Sequence, residues 1–189
     1  MKVRRGIFAT ERQAWIAVAL YTLVLYSTLT VAFDLYVSVF DRVGKATVSQ
    51  WMNLSLAGVG FLLVLLTTVW IRPRASGYLA MLLIGLTLAF CVSQLPIPAK
   101  RFHFFQYAPL TVLIFDSLRF RCSDRSIYVC SMALVTLIGL GDETVQWMLP
   151  DRHFGILDLV INSAAGLLTL VFIGFVLGEE KYPFPSRTQ

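Results

Sequence analysis

The stretch GDETVQWMLPDRHFGILDLVINSAAG, residues 141–166, links two apolar runs and carries Asp142, Glu143, Gln146, Arg152, Asp158 and Asn162 between them. Each flanking run is about as long as a helix that crosses the roughly 30 Å of membrane hydrocarbon. Pro150 cannot continue a helix, so the stretch reads as a hairpin between two spans. Ionisable side chains at or near bilayer depth cost a few kcal/mol each on insertion scales, about 2.5–3.5 at the helix centre. A chain that retains several of them beside two amides uses them.

Outward from the hairpin, the composition agrees. The chain has 189 residues, 57% of them hydrophobic and 14% charged, where a soluble domain has about 25% charged. This predicts an all-α, polytopic membrane bundle of about six transmembrane helices. The spans fall at 14–33, 54–71, 78–95, 102–118, 127–148 and 157–177. Pro96 and Pro98 close the third, and Arg72-Pro73-Arg74 closes the second. Residues 34–53 read as the longest loop, with a short interfacial helix near 48–52. The division predicted is 1–99 for three N-terminal spans, 100–178 for a three-span core and 179–189 for a cytoplasmic tail.

The net charge of +5 follows from the positive-inside rule and calls for no nucleic acid. With the N-terminus inside, Lys2, Arg4, Arg5, Arg12, Arg72, Arg74, Arg119, Arg121, Arg125, Lys181 and Arg187 lie inside. Only Arg42, Lys45, Lys100, Arg101 and Arg152 lie outside. Both termini are therefore expected in the cytoplasm and the 141–166 hairpin on the outer side. A bacterial inner membrane is the expected location. The basic start of the chain resembles a signal peptide, but the 20-residue run that follows exceeds the roughly 7–15 residues of such a segment and reads as an uncleaved span. Cys91, Cys122 and Cys130 form no ligand pattern, and neither a metal nor a cofactor is expected.

The polar residues form two groups. In the last span Asp158 and Asn162 are four apart and share a face, which Ala165 and Gly166 continue. Such a face suits a close helix contact beside a polar pocket; alternatively, Asp158 only favours the helix N-terminus and Asn162 only joins helices. In the fifth span Glu143 and Gln146 share a face, while Asp142 points elsewhere into solvent. Arg152 in the turn can hold a carboxylate or a phosphate with its planar fork, or clamp the hairpin to Glu143 or Asp158. The second group is Lys100, His103 and Tyr107, spaced three and four apart. His103 can carry a proton near neutral pH; alternatively, Lys100 and Arg101 reach lipid headgroups and Tyr107 joins an aromatic belt. Asp116 and Arg119 read as an interfacial ion pair. No nucleophile elbow, zinc-protease, phosphate-loop or dinucleotide motif is present.

Glu143-x-x-Gln146, the turn Pro150-Asp151-Arg152-His153-Phe154, Asp158-x-x-x-Asn162 and the earlier Lys100-x-x-His103-x-x-x-Tyr107 together resemble the VanZ-like family of small bacterial membrane proteins. The resemblance spans about residues 100–177. Ala99 stands where that family often has an acid, and Ala165 where it often has glycine. It implies a role connected with tolerance of the glycopeptide teicoplanin.

Three readings follow. The first is an outward-facing polar pocket that binds or processes a lipid-linked envelope precursor or a glycopeptide. Lys100, Tyr107, Gln146, Arg152 and Asn162 would hold the ligand. The second is an intramembrane hydrolase or transferase acting on a lipid-linked phosphate or glycan, with Glu143, Asp158 and His103 as acid–base groups. The third is a structural or partner-binding subunit in which the polar network only joins helices. Membrane lipids are the expected surroundings in all three.

Overall fold

Apolar segments in lipid must pair every backbone N–H and C=O internally, so they become helices. The structure, a computed structural model, describes residues 6–122, 124–149 and 152–177, and those residues are helical with no strand. The helices are α1 (Glu11–Ser27), α2 (Leu29–Leu66), α3 (Ala75–Ser93), α4 (Phe102–Leu118), α5 (Ser126–Trp147) and α6 (Ile156–Val171). A wider π-helical turn prolongs α2 over Thr67–Ile71 and α6 over Phe172–Leu177, and a 3₁₀ turn at Pro98–Arg101 leads into α4. Four stretches, Leu29–Ile71, Ala75–Ser93, Ser126–Trp147 and Ile156–Leu177, are long and apolar enough to cross a membrane. Helices α1 and α4 have 17 residues each.

Helix α4 is the centre. Tyr107, Leu110 and Ile114 are fully buried in a core completed by Val18 and Leu25 of α1, Ile127 and Val135 of α5, and Ile161, Ala165 and Leu170 of α6. Hydroxyl groups tie the helices at two levels: Tyr21 donates to the Gln106 carbonyl at 2.8 Å and Tyr26 to the Ile138 carbonyl at 2.6 Å. Helix α3 packs Ala80 and Met81 on Val176 and Phe172 at the end of α6, and Leu88, Cys91 and Val92 against the edge of this core. Helix α2 buries only Leu29 and Val48. Its exposed face, with Phe61, Leu62, Leu65 and Leu66, is suited to lipid.

Two sequence expectations fail in the N-terminal half. The first span does not run through 14–33: α1 stops at Ser27, where the Ser27 and Thr28 hydroxyls both bond back to the Val24 carbonyl. Such back-bonding competes with the helix ladder. Residues 34–53 are not a loop but part of α2. That segment contains no proline, and its single glycine, Gly44, provides a bend rather than an end. A straight 38-residue helix would reach about 57 Å, nearly twice the hydrocarbon. At Gly44 the backbone turns to φ 81°, ψ 162°, a region open essentially to glycine alone. Gly44→Ala is therefore expected to destabilise the protein by about 1–2 kcal/mol, read as a lower melting temperature in detergent; an unchanged melt would mean that α2 straightens without loss.

At the other end of α4, the Asp116–Arg119 pair forms as expected, Nε to Oδ1 at 2.9 Å. It also secures the entering chain. Asp116 accepts the Ile7 and Phe8 N–H groups at 3.2 and 3.1 Å, and Arg119 donates to the Phe8 carbonyl at 3.0 Å. Arg121 pairs with Glu11 beside it. The expectations for Lys2, Arg4, Arg5, Pro150, Asp151 and the 179–189 tail lie outside the described residues.

Candidate functional site

The hairpin residues and the Lys100–Tyr107 group meet at one end of the bundle. The 3₁₀ turn before α4 brings Lys100 onto the first turn of α6, where Nζ sits 2.5 Å from Asp158 Oδ1. One turn into α4, Tyr107 points at α5 and donates to Asp142 Oδ2 at 3.0 Å. His103 lies between these two contacts. Its ring is 6.2 Å from that of Tyr107, in the field of Asp158 and Asp142 and beside Asn162.

The start of α6 has no side-chain cap of its own. Glu143 of α5 supplies one: the Gly155 N–H donates to Glu143 Oε2 at 2.8 Å. Glycine leaves room for this approach: a Cβ at position 155 would come within 2.6 Å of Asp158 Oδ2 and 3.3 Å of Glu143 Oε2, so both carboxylates would have to shift. Gln146 donates weakly to Glu143 Oε1 at 3.5 Å and accepts from Arg152. The Arg152 guanidinium also lies 4.4 Å over the ring of Phe33, a cation–π contact. Arg152 therefore clamps the hairpin, through Gln146 rather than through Glu143 or Asp158.

The shared faces read from spacing are present. Glu143 and Gln146 are both buried, and Asn162 and Gly166 lie on the buried face of α6 with Ile161 and Ala165. Two readings need correction. Asp142 is not solvated but 1% exposed, and Arg101 does not reach for headgroups but is 7% exposed. Arg101 donates to Ser49 Oγ at 2.6 Å, Asn53 Oδ1 at 2.9 Å and the Leu95 carbonyl at 2.8 Å. It fixes the turn that carries Lys100 and leads into α4, where His103 lies. Tyr107 is fully buried and belongs to no interfacial belt. A periodic signal for Asp142 existed: Ser131, Val135, Gly139, Asp142 and Gln146 recur at three- and four-residue steps along one α5 face, and all are buried. His153 is exposed.

The unusual feature is what remains unpaired. Among the described residues, His103 Nδ1, Asp142 Oδ1 and both amide atoms of Asn162 are buried and complete no hydrogen bond of ordinary geometry. Each such atom costs about 1–3 kcal/mol, so one helical bundle rarely keeps four together without a use. They come from α4, α5 and α6, and they offer a mixture of donors and acceptors. Three carboxyl groups, Asp142, Glu143 and Asp158, share the site with two fixed cations, Lys100 and Arg152. Among the described residues no cluster of His, Cys, Asp and Glu is arranged to hold a metal ion.

No family model matches the chain, and no solved structure matches it. An uncharacterized protein of Schizosaccharomyces pombe is similar: 35% identical over 103 residues, which are 50% of this chain and 61% of that protein. The chain thus spans less than two thirds of that relative's length.

Proposed function

We propose that this chain is a VanZ-like membrane protein with six spans, whose polar chamber recognises the head of an amphipathic ligand. That ligand is a lipid-linked envelope precursor or a lipophilic glycopeptide. The supporting observation is the convergence of the unpaired His103, Asp142 and Asn162 atoms from three helices. A hydroxyl- or amide-rich head, such as a glycan or a peptide, would satisfy all of them. Lys100 and Arg152 already have partners; they would take an anionic group on the ligand by exchanging those partners. At 17 residues, α1 and α4 sit at the lower edge of spanning length, about 17–25 residues. The preceding 3₁₀ turn lengthens α4. The arginine-rich end, with Arg72, Arg74, Arg119, Arg121 and Arg125, would face the cytoplasm, as would both termini, and the chamber would open outward. The similar fungal protein leaves the kind of membrane out of the proposal; a bacterial inner membrane rests on the resemblance alone.

A second reading, an intramembrane hydrolase or transferase, is favoured by one observation. His103 lies in the field of two carboxylates, an acid–base arrangement. Glu143 and Asp158, the carboxylates first expected to act, already hold the Gly155 N–H and Lys100. Asp142, with one open oxygen, takes their place as the partner of His103.

Asn162→Leu and Asn162→Ala test the binding reading. Asn162 lies within reach of His103 but completes no hydrogen bond of ordinary geometry, so its removal relieves at most part of a penalty of about 1–3 kcal/mol. At least one of the two variants is expected to melt at or above the wild-type temperature. Both are expected to lose retention of a teicoplanin-type glycopeptide or a lipid-linked glycan by purified protein, and any glycopeptide tolerance of expressing cells. If both variants melt well below wild type while ligand retention is unchanged, Asn162 only joins helices and the proposal fails.

A further inference from the structure

A separate feature lies at the opposite end of the bundle from the polar cluster of Lys100, His103, Asp142 and Asn162. Between α3, α5 and the end of α6 runs an open crevice of about 1370 Å³, larger than the roughly 300–1,000 Å³ of a drug-sized pocket. Its mouth holds three arginines, Arg72 and Arg74 from the α2–α3 turn and Arg125 from the start of α5. Its walls are apolar, with Met132, Leu167 and Phe175 among them. From Arg125 to Leu137 the crevice follows α5 for about 18 Å at 1.5 Å per residue, close to one leaflet, half of the roughly 30 Å hydrocarbon layer. The α5 side chains along it are largely uncovered by protein; Val129 is 71% exposed.

Backbone conformation supplies a separate observation. Arg72 has φ 52°, ψ 66° and is the only described non-glycine residue with positive φ. It closes the π-helical turn of α2, donating its N–H to the Thr67 carbonyl at 3.0 Å. Helix ends of this kind usually take glycine, and an L-residue there costs roughly 1–2 kcal/mol. The strained position carries an arginine that lines the crevice. The second π-helical turn, Phe172–Leu177, borders the same crevice, and such turns are frequent at functional sites.

We propose that the crevice seats one anionic lipid. Its phosphate-bearing head lies among Arg72, Arg74 and Arg125, and an acyl chain lies along the α5–α6 wall past Met132 and Leu167. A guanidinium cluster at the end of an apolar trough one leaflet long fits such a molecule and does not fit a soluble anion, which has no use for the trough. Basic pockets between membrane helices bind lipid heads in this manner.

The test is native mass spectrometry of the full chain released from nanodiscs that contain equal amounts of phosphatidylglycerol and phosphatidylcholine with the same acyl chains. Wild-type protein is expected to retain one phosphatidylglycerol, and Arg72→Gly to weaken that preference by about fivefold, the effect of one basic side chain near an anionic surface. Arg72→Gly also removes the backbone strain, so its melting temperature without lipid is expected to hold or rise, and lipid loss cannot reflect misfolding. Met132→Trp fills the trough without touching a charge and is expected to release the lipid as well. Equal retention of the two lipids by wild type overturns the proposal. So does displacement of the lipid by inorganic phosphate at matched concentration, which would mark a site for a free anion.

Discussion

Arg101→Ala is expected to lower stability by about 3–5 kcal/mol, because it removes three hydrogen bonds to a charged group, each worth about 1.5–3 before solvent replaces part of it. The loss comes from what the guanidinium leaves behind. Ser49 Oγ, Asn53 Oδ1 and the Leu95 carbonyl all accept from it, and the buried Leu95 carbonyl loses most, since Ser49 is half-buried and Asn53 exposed. A native protein has only about 5–15 kcal/mol in total, so this variant should accumulate poorly or melt far below wild type. Lysine does not substitute, because one ammonium cannot spread over acceptors on α2 and on the α3–α4 connection as a planar fork does. Arg101→Lys should fall between the two. Ser49→Ala removes one charged hydrogen bond and is expected to cost about 1–2 kcal/mol. The readout is the melting temperature in detergent across the three variants; an Arg101→Ala melt close to wild type would show that the turn is held by something else. The residue matters to the polar cluster because it directly follows Lys100 and leads into α4, which carries His103.

Arg101 also shows where reading the chain stops. Residues 96–102 contain two prolines and two adjacent cations, which is also how a headgroup-facing turn reads. The distinction lies in α2, whose residues 45–53 return across that turn. Their helix was not legible, because one glycine and three charges within 41–45 resemble a loop as much as a bent interfacial helix. In the C-terminal half the limits were legible to within a residue or so: α4 matches 102–118, and α5 and α6 begin one residue earlier than expected. Strong punctuation explains this, since Pro98, the basic 119–125 turn and the 149–155 turn leave little freedom. That Lys100, His103, Tyr107, Glu143, Gln146, Arg152, Asp158 and Asn162 lie at one end of the bundle agrees with their spacing, but spacing did not give their pairing. Asp142 was misplaced because neighbours on a helix differ by about 100° and one of the two usually faces out. Here α4 and α6 cover two sides of α5, so Asp142 and Glu143 are both buried against different helices, one on Tyr107 and the other on Gly155.

The Lys100–Asp158 pair is expected to give the second-largest effect and to separate helix joining from recognition. Both side chains are mostly buried, 20% and 17% exposed, so breaking the pair leaves a partly desolvated charge. Lys100→Met and Asp158→Leu are each expected to cost about 2–3 kcal/mol, below the 3–5 of a wholly buried pair because solvent reaches both groups. The double variant Lys100→Met/Asp158→Leu removes both charges together and exchanges them for apolar bulk. Buried ion pairs replaced in this way often lose nothing, so it should melt within about 1 kcal/mol of wild type, and the cycle should report a coupling of several kcal/mol. Stability restored in this manner gives a clean background for binding. If Lys100 serves only to hold α4 against α6, the double variant retains a glycopeptide or lipid-linked glycan as wild type does. The proposed exchange of partners with the ligand's anionic group predicts otherwise: retention falls although the fold is intact, and it falls more for a phosphorylated ligand than for a neutral one. A restored melt with unchanged retention of both ligands would remove Lys100 from the site and leave recognition to His103, Asp142 and Asn162.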